Sequence, residues 1–168
     1  STAYHLAKYG WKDTVLLERD VLTSGTTWHA AGLIGQLGSS ATITKLRNYS
    51  LNLYKRLEEE TGLSTGLKQN GSLTVATTLD RLEELKRQLT FAQRFDIEAR
   101  QVSNEEIKEI YPLINTEDLV GGVFIKKDGQ ADPVGVANVM AKAARQNGAT
   151  IIEKCPVKKI LTKNNKIV

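Results

Sequence analysis

The sequence has one cysteine, one methionine, two histidines and three prolines in 168 residues. The lone Cys155 excludes an intrachain disulfide and fits a reducing compartment. Two histidines and one cysteine are too few for the usual sulfur and imidazole cage of a structural zinc site, so no metal site is expected. No apolar run is long enough for a bilayer, and no membrane span is expected. The net charge of +4 comes from 23 basic and 19 acidic residues. They interleave, as in Lys55-Arg56-Leu57-Glu58-Glu59-Glu60, which reads as solvated helix faces and argues against nucleic-acid binding. With 40% hydrophobic and 25% charged residues, the composition is that of an ordinary globular chain. Its length suits one domain, or one and part of a second.

The most informative stretch is Val15-Leu16-Leu17-Glu18 followed by Thr23-Ser24-Gly25-Thr26-Thr27-Trp28-His29-Ala30-Ala31-Gly32. An apolar run ending in an acidic residue reads as the second strand of a dinucleotide-binding βαβ unit, whose carboxylate holds the ribose hydroxyls about 20 residues after a glycine loop. Glu18 takes that place. Counting back puts the glycine loop at or before Ser1 and makes residues 1–9 the helix whose amino terminus faces the pyrophosphate. On this reading the first strand and glycine loop are missing, and the sequence is a fragment that begins inside its own motif. The absent initiator Met and the abrupt close at Asn165-Lys166-Ile167-Val168 agree with that.

Periodicity and punctuation place the other elements. From Ile43, apolar Leu46, Leu53, Tyr54 and Leu57 share a helical face, and Gly62 stops the helix after Thr61. Ser72 to Thr77 alternates as a strand after a turn at Asn70-Gly71. Asp80 with Glu83 and Ser103 with Glu106 have capping-box spacing. Leu82, Leu85, Leu89 and Ala92 make the buried stripe of the first of these helices, and Pro112 closes the second. Val120 to Lys126 reads as a strand and Asp128-Gly129 as a turn. Asp132-Pro133 opens a helix running to Gly148, and Ala149 to Glu153 is the strand it feeds, as a parallel sheet requires.

These residues carry a resemblance. Thr23 to Leu33, Leu57-Glu58-Glu59-Glu60-Thr61-Gly62, Gln69-Asn70-Gly71-Ser72-Leu73, Tyr111-Pro112-Leu113-Ile114-Asn115, Asp128-Gly129, Asp132-Pro133 and Cys155-Pro156-Val157 together resemble the sarcosine/dimethylglycine dehydrogenase family, on its sarcosine dehydrogenase side. The likeness covers almost the whole chain. It implies an α/β fold: a Rossmann-like, D-amino-acid-oxidase type FAD-binding domain with an inserted α+β substrate lobe. The expected segmentation is 1–38 for the first part of the FAD-binding domain, 39–129 for the partial substrate lobe and 130–168 for the continuation. The resemblance further implies FAD joined covalently through His29, and oxidation of the N-methyl group of a small amino acid such as sarcosine or dimethylglycine. It implies electron-transfer flavoprotein as acceptor, tetrahydrofolate in the full-length protein, and a place in one-carbon metabolism. The mitochondrial matrix is the implied location, or the cytoplasm in a bacterium.

The cofactor-binding candidates are Glu18, Ser24, Gly25, Thr26, Thr27, His29, Gly32, Leu33 and Val157. Glu18 reads as a ribose ligand or a plain strand-end charge. Hydroxyls and small residues at Ser24, Gly25, Thr26 and Thr27 suit a backbone that approaches a pyrophosphate or ribityl chain, and also an ordinary turn. A neutral imidazole close to the flavin is what attack on the ring's 8α carbon needs, and His29 suits it; taken without the resemblance, a histidine beside a tryptophan is a packed residue. Gly32 and Leu33 read as a close backbone approach to the ring. Val157 resembles the residue whose main chain meets the adenine, and otherwise reads as a buried strand residue. No catalytic residue is assigned, Cys155 is taken as a small buried hydrophobe, and Asn70 and Asp128 as turn formers. Two other functions stay open: a regulatory protein like the pyruvate dehydrogenase phosphatase regulatory subunit, in which the Trp-His pair is not kept, and a non-covalent FAD amino-acid oxidase.

Overall fold

The computed structural model describes residues 1–167. In chain order the elements are α1 (Thr2–Lys8), β1 (Val15–Leu17), a one-turn 3-10 helix (Thr27–His29), β2 (Leu33–Ile34), α2 (Ala41–Thr61), β3 (Ser72–Ala76), α3 (Leu79–Gln93) and β4 (Ala99–Val102). They continue with α4 (Asn104–Ile110), β5 (Gly121–Ile125), β6 (Gly129–Gln130), α5 (Pro133–Gln146), β7 (Thr150–Ile152), β8 (Thr162–Lys163) and β9 (Lys166–Ile167). They fall into two compact units. The first takes Ser1–Gly32, Tyr54–Gly66 and the chain from Asp132 on; the second takes Leu33–Leu53 and Leu67–Ala131. Tyr54–Gly66 thus belongs to the first unit although it lies within the segment 39–129.

In the first unit β1 and β7 pair in parallel, Val15 with Thr150, Leu16 with Ile151 and Leu17 with Ile152. Parallel neighbours need a crossover, and α5 supplies it immediately before β7. Asp132 caps α5 by accepting from the Val134 amide at 3.0 Å, and Pro133, with no N–H to lose, fills its first turn. Helices α1 and α5 pack together. Their buried Ala3 and Ala7, and Ala143 and Ala144, are small enough for the backbones to approach closely. Tyr4 is fully buried in this unit, with its hydroxyl donating to Glu60 Oε2 at 3.2 Å and accepting from Lys8 Nζ at 2.9 Å, so the polar end is satisfied. From the last turns of α2, Glu58 Oε1 accepts from the Thr65 amide at 2.6 Å and the Thr65 hydroxyl at 2.7 Å. Those two bonds hold the Glu58 carboxyl below the usual carboxylate range.

In the second unit an antiparallel sheet runs β3-β5-β4, with Leu73 opposite Phe124 and Gln101 opposite Val123. Helix α3 lays Leu82, Leu85 and Ala92 on Ala76, Val123, Ile125 and Ile97. Helix α4 contributes Ile107 to a cluster with Val102 and Leu119. Its capping box is complete: the Ser103 hydroxyl accepts from the Glu106 amide, and Glu106 Oε2 accepts from the Ser103 amide at 2.9 Å. A short antiparallel pair joins β2 to β6. At Gly129 any Cβ would stand 1.9 Å from the Lys68 carbonyl, so only glycine admits the neighbouring chain.

Local expectations are corrected in several places. Thr78, not Asp80, caps α3, accepting from the Arg81 amide at 3.2 Å; Asp80 sits in the first turn, where a carboxylate suits the helix dipole. Leu46 is exposed. The inward position there is Thr44, whose hydroxyl donates to the Ser40 carbonyl and accepts from the Gly38 amide, so the start of α2 buries a polar face. Asp128-Gly129 is not a free turn: Gly129 opens β6, and Asp128 is buried. Helix α5 stops at Gln146, and Cys155 is half-buried. The short strands β2, β4, β6, β8 and β9 were not read from the sequence, because two to four residues carry too little alternation to be seen.

Candidate cofactor site

The main chain at the end of β1 is pinned from β7 and its exit. The Glu18 amide donates to the Ile152 carbonyl at 2.8 Å, the Cys155 amide donates to the Glu18 carbonyl at 2.9 Å, and the Lys154 amide donates to the Asp20 carbonyl at 2.6 Å. The half-buried Glu18 side chain turns along its own loop, where Oε1 accepts from the Asp20 amide at 2.9 Å. Glu153 reaches the same loop, accepting from the Leu22 amide at 2.6 Å. Thr23 follows with φ of 72°, a backbone state that a β-branched residue rarely adopts. Such strain gathers where a loop is held for a ligand, at a cost on the order of 1–3 kcal/mol.

Between the strand end and this loop lies a recess of about 630 Å³, lined by Leu17, Glu18, Arg19, Asp20 and the run from Thr23 to Thr27. It lies wholly within the first unit. Five of the nine candidate residues, Glu18, Ser24, Gly25, Thr26 and Thr27, line it together. Its size is that of a small-molecule or cofactor site. Chemically it offers the carboxylates of Glu18 and Asp20, of which the strand-end Glu18 suits a diol, the four hydroxyls of Thr23, Ser24, Thr26 and Thr27, and an exposed glycine that leaves the backbone accessible.

The other four candidates do not line the recess. His29 ends the one-turn helix that continues from it, with its amide donating to the Thr26 carbonyl at 3.2 Å. Helix α5 packs against that turn. Trp28 and His29 are both exposed, and their rings stack with centroids 3.7 Å apart and planes inclined by 32°. Gly32 has φ of 71°, in the left-handed region that favours glycine. Leu33 is 80% exposed, opens β2 and belongs to the second unit, and Val157 is 61% exposed.

Two features were not legible in the sequence. Glu153 is a strand-end charge by pattern, and its bond to a loop 131 positions away has no local signal. In the second unit the segment after β2 is held by side chains from elsewhere: Asp128 accepts from the Gln36 amide at 2.7 Å and from the Ser72 hydroxyl at 2.7 Å, the Gln36 side chain donates to Asn48 at 2.7 Å, and Arg47 donates to the Leu37 carbonyl. Among the described residues no group of three or more His, Cys, Asp or Glu is placed to hold a metal ion, and no helix is long and apolar enough to cross a membrane.

Residues 1–168 match the model of the family described as FAD dependent oxidoreductase. The chain belongs to that family. It is 46% identical over 157 residues to human mitochondrial sarcosine dehydrogenase, covering 93% of the chain and 17% of that protein. It is 39% identical over 167 residues to the mouse mitochondrial pyruvate dehydrogenase phosphatase regulatory subunit, covering 99% of the chain and 19% of that protein. Among solved structures, L-proline dehydrogenase from P. horikoshii superposes with a TM-score of 0.89 at 29% identity, over 98% of this chain and 43% of that one. The chain therefore spans under a fifth of the length of these curated relatives. The α/β fold expected from the resemblance, of the D-amino-acid-oxidase type, is the fold found.

The residues present fit FAD. A strand-end carboxylate beside a hydroxyl-rich loop is a donor set suited to the ribose and the phosphates of a dinucleotide, and the positive φ of Gly32 is a backbone that a side chain would disfavour.

Proposed function

We propose that this chain is the nucleotide-binding part of an FAD-dependent amine dehydrogenase that demethylates sarcosine or dimethylglycine, with the flavin tethered through His29. The recess at the end of β1, continuing into an exposed Trp28-His29 pair, carries this reading. Glu18 takes the adenosine ribose hydroxyls, its backbone fixed by Ile152 and Cys155. Ser24, Gly25, Thr26 and Thr27 receive the pyrophosphate and ribityl chain. Gly32 and Leu33 let the chain approach the ring, and Val157 meets the adenine. Bound flavin supplies the two-electron acceptor for a hydride leaving the N-methyl carbon. Segment 1–38 and the chain from 130 serve the cofactor, and 39–129 is the part of the substrate lobe seen here. Electron-transfer flavoprotein takes the electrons, tetrahydrofolate takes the one-carbon unit, and the protein works in the mitochondrial matrix.

The relatedness to sarcosine dehydrogenase supports the amine substrate. A second reading is favoured by the 39% identity to a phosphatase regulatory subunit. Retention of Trp28-His29 supports the enzyme against it. The test is addition of sarcosine to the full-length protein with an artificial electron acceptor. Bleaching of the flavin and reduction of the acceptor are expected. A protein that carries no flavin and reduces no acceptor would instead fit the regulatory reading.

A further inference from the structure

We infer that Trp28 is a positioning residue, whose indole holds the His29 imidazole in the orientation that flavin attachment requires. This rests on the His29 tether proposed above. Adjacent side chains on a helical turn ordinarily diverge, because a 3-10 helix has three residues per turn and rotates each residue about 120° from the last. Here they do the opposite. Trp28 and His29 occupy the same one-turn helix, yet their ring centroids lie 3.7 Å apart with the planes 32° from parallel.

The stack matters because little else shields the pair. Trp28 is 58% exposed, and His29 is exposed. An exposed imidazole normally samples several rotamers, most of which would point its nitrogens away from any one electrophile. An indole ring 3.7 Å from the imidazole removes part of that freedom, and His29 stays exposed. The backbone beneath is fixed by the His29 amide bonding to the Thr26 carbonyl, by the Ala30 amide bonding to the Thr27 carbonyl at 3.1 Å, and by α5 packing on the turn. The turn is thus held while its histidine is held by its neighbour.

Attachment forms a C–N bond between an imidazole nitrogen and the flavin 8α carbon. A C–H bond at that carbon and the imidazole N–H are broken, and the two protons and two electrons released leave the flavin two-electron reduced. Dioxygen then reoxidises it and becomes hydrogen peroxide. Trp28 takes no part in these transfers. It raises the fraction of encounters in which the nitrogen is aligned, an orientation effect on rate.

The experiment follows attachment itself in the full-length apoprotein. FAD is added, aliquots are quenched in acid, and the flavin fluorescence that stays with the polypeptide is read against time for wild type, Trp28→Phe, Trp28→Leu, Trp28→Met and His29→Ala. Non-covalent FAD affinity is measured separately with each Trp28 change combined with His29→Ala. Trp28→Phe is expected to attach flavin within about twofold of wild type, and the two non-aromatic variants roughly tenfold more slowly with FAD affinity unchanged. Attachment at the wild-type rate in Leu or Met would overturn the proposal, as would Phe being as slow as they are. Two non-aromatic variants keep the comparison decisive should one fail to fold. Acid-stable flavin retained by His29→Ala, or absent from wild type, would remove the tether reading instead, a result distinguishable from failure of the Trp28 role.

Discussion

Replacing Asp128 with Ala should loosen the segment that follows β2. The Asp128 residue is only 4% exposed, and its two oxygens accept from the Gln36 amide and the Ser72 hydroxyl, each at 2.7 Å. Gln36 is itself 7% exposed, so its amide loses its partner with little access to water. An orphaned buried donor costs about 1–3 kcal/mol, and the Gln36 amide is taken at about 2 kcal/mol. Ser72 is half-buried and its hydroxyl can rotate, so its loss is nearer 1 kcal/mol. A total of about 3 kcal/mol corresponds to a local opening roughly a hundredfold more frequent, since 1.4 kcal/mol is about tenfold. Hydrogen exchange read by mass spectrometry on peptides covering residues 33–40 of the full-length protein measures it directly. Asp128→Ala should speed exchange at Gln36 by about two orders of magnitude, and Ser72→Ala by about one or less. Unchanged protection in Asp128→Ala would refute the role given to this carboxyl.

Three other outcomes follow from the geometry. Glu18→Ala, made with His29→Ala so that no tether masks the equilibrium, should weaken FAD by about 1.5–3 kcal/mol per lost charge-assisted bond, or roughly 10- to 150-fold in Kd; fluorescence titration checks it. Glu153→Ala frees the Leu22 amide and should weaken FAD a few-fold, whereas Glu153→Gln, which keeps an acceptor oxygen, should retain most of the affinity. Glu58 is held below its ordinary value chiefly by the Thr65 hydroxyl and amide, so the unfolded chain binds its proton more readily. Its stabilisation is therefore present above about pH 4.3 and fades as pH falls through the lower native value, and Glu58→Gln should flatten the acid limb of a melting-temperature profile below about pH 4.3.

Elements with several turns or clear caps were readable because local chemistry specifies them. Asp132-Pro133 starts α5, the Ser103 and Glu106 pair starts α4, and β1 and β7 lie where short apolar runs stand next to helices. The cap of α3 was misplaced by two residues because Thr78 and Asp80 are both competent N-caps, and only the backbone shows that the φ of Thr78 is extended. Asp128 was misread because an Asp-Gly pair is ordinarily a turn, and nothing nearby in sequence reveals that Gln36 and Ser72 donate to it. Of the site, Glu18 and the loop from Ser24 to Thr27 were legible as a strand end and a small-residue run. The bond from Glu153 to that loop, the strained Thr23 and the stacking of Trp28 on His29 depend on the folded chain.

The most direct test of the tethered-flavin site is acid denaturation of the full-length protein, followed by proteolysis and mass analysis of the peptide containing His29. Flavin is expected to stay with the polypeptide and to add its mass to that peptide, with the modification at His29. Flavin released free into the supernatant, or found on another residue, would contradict it.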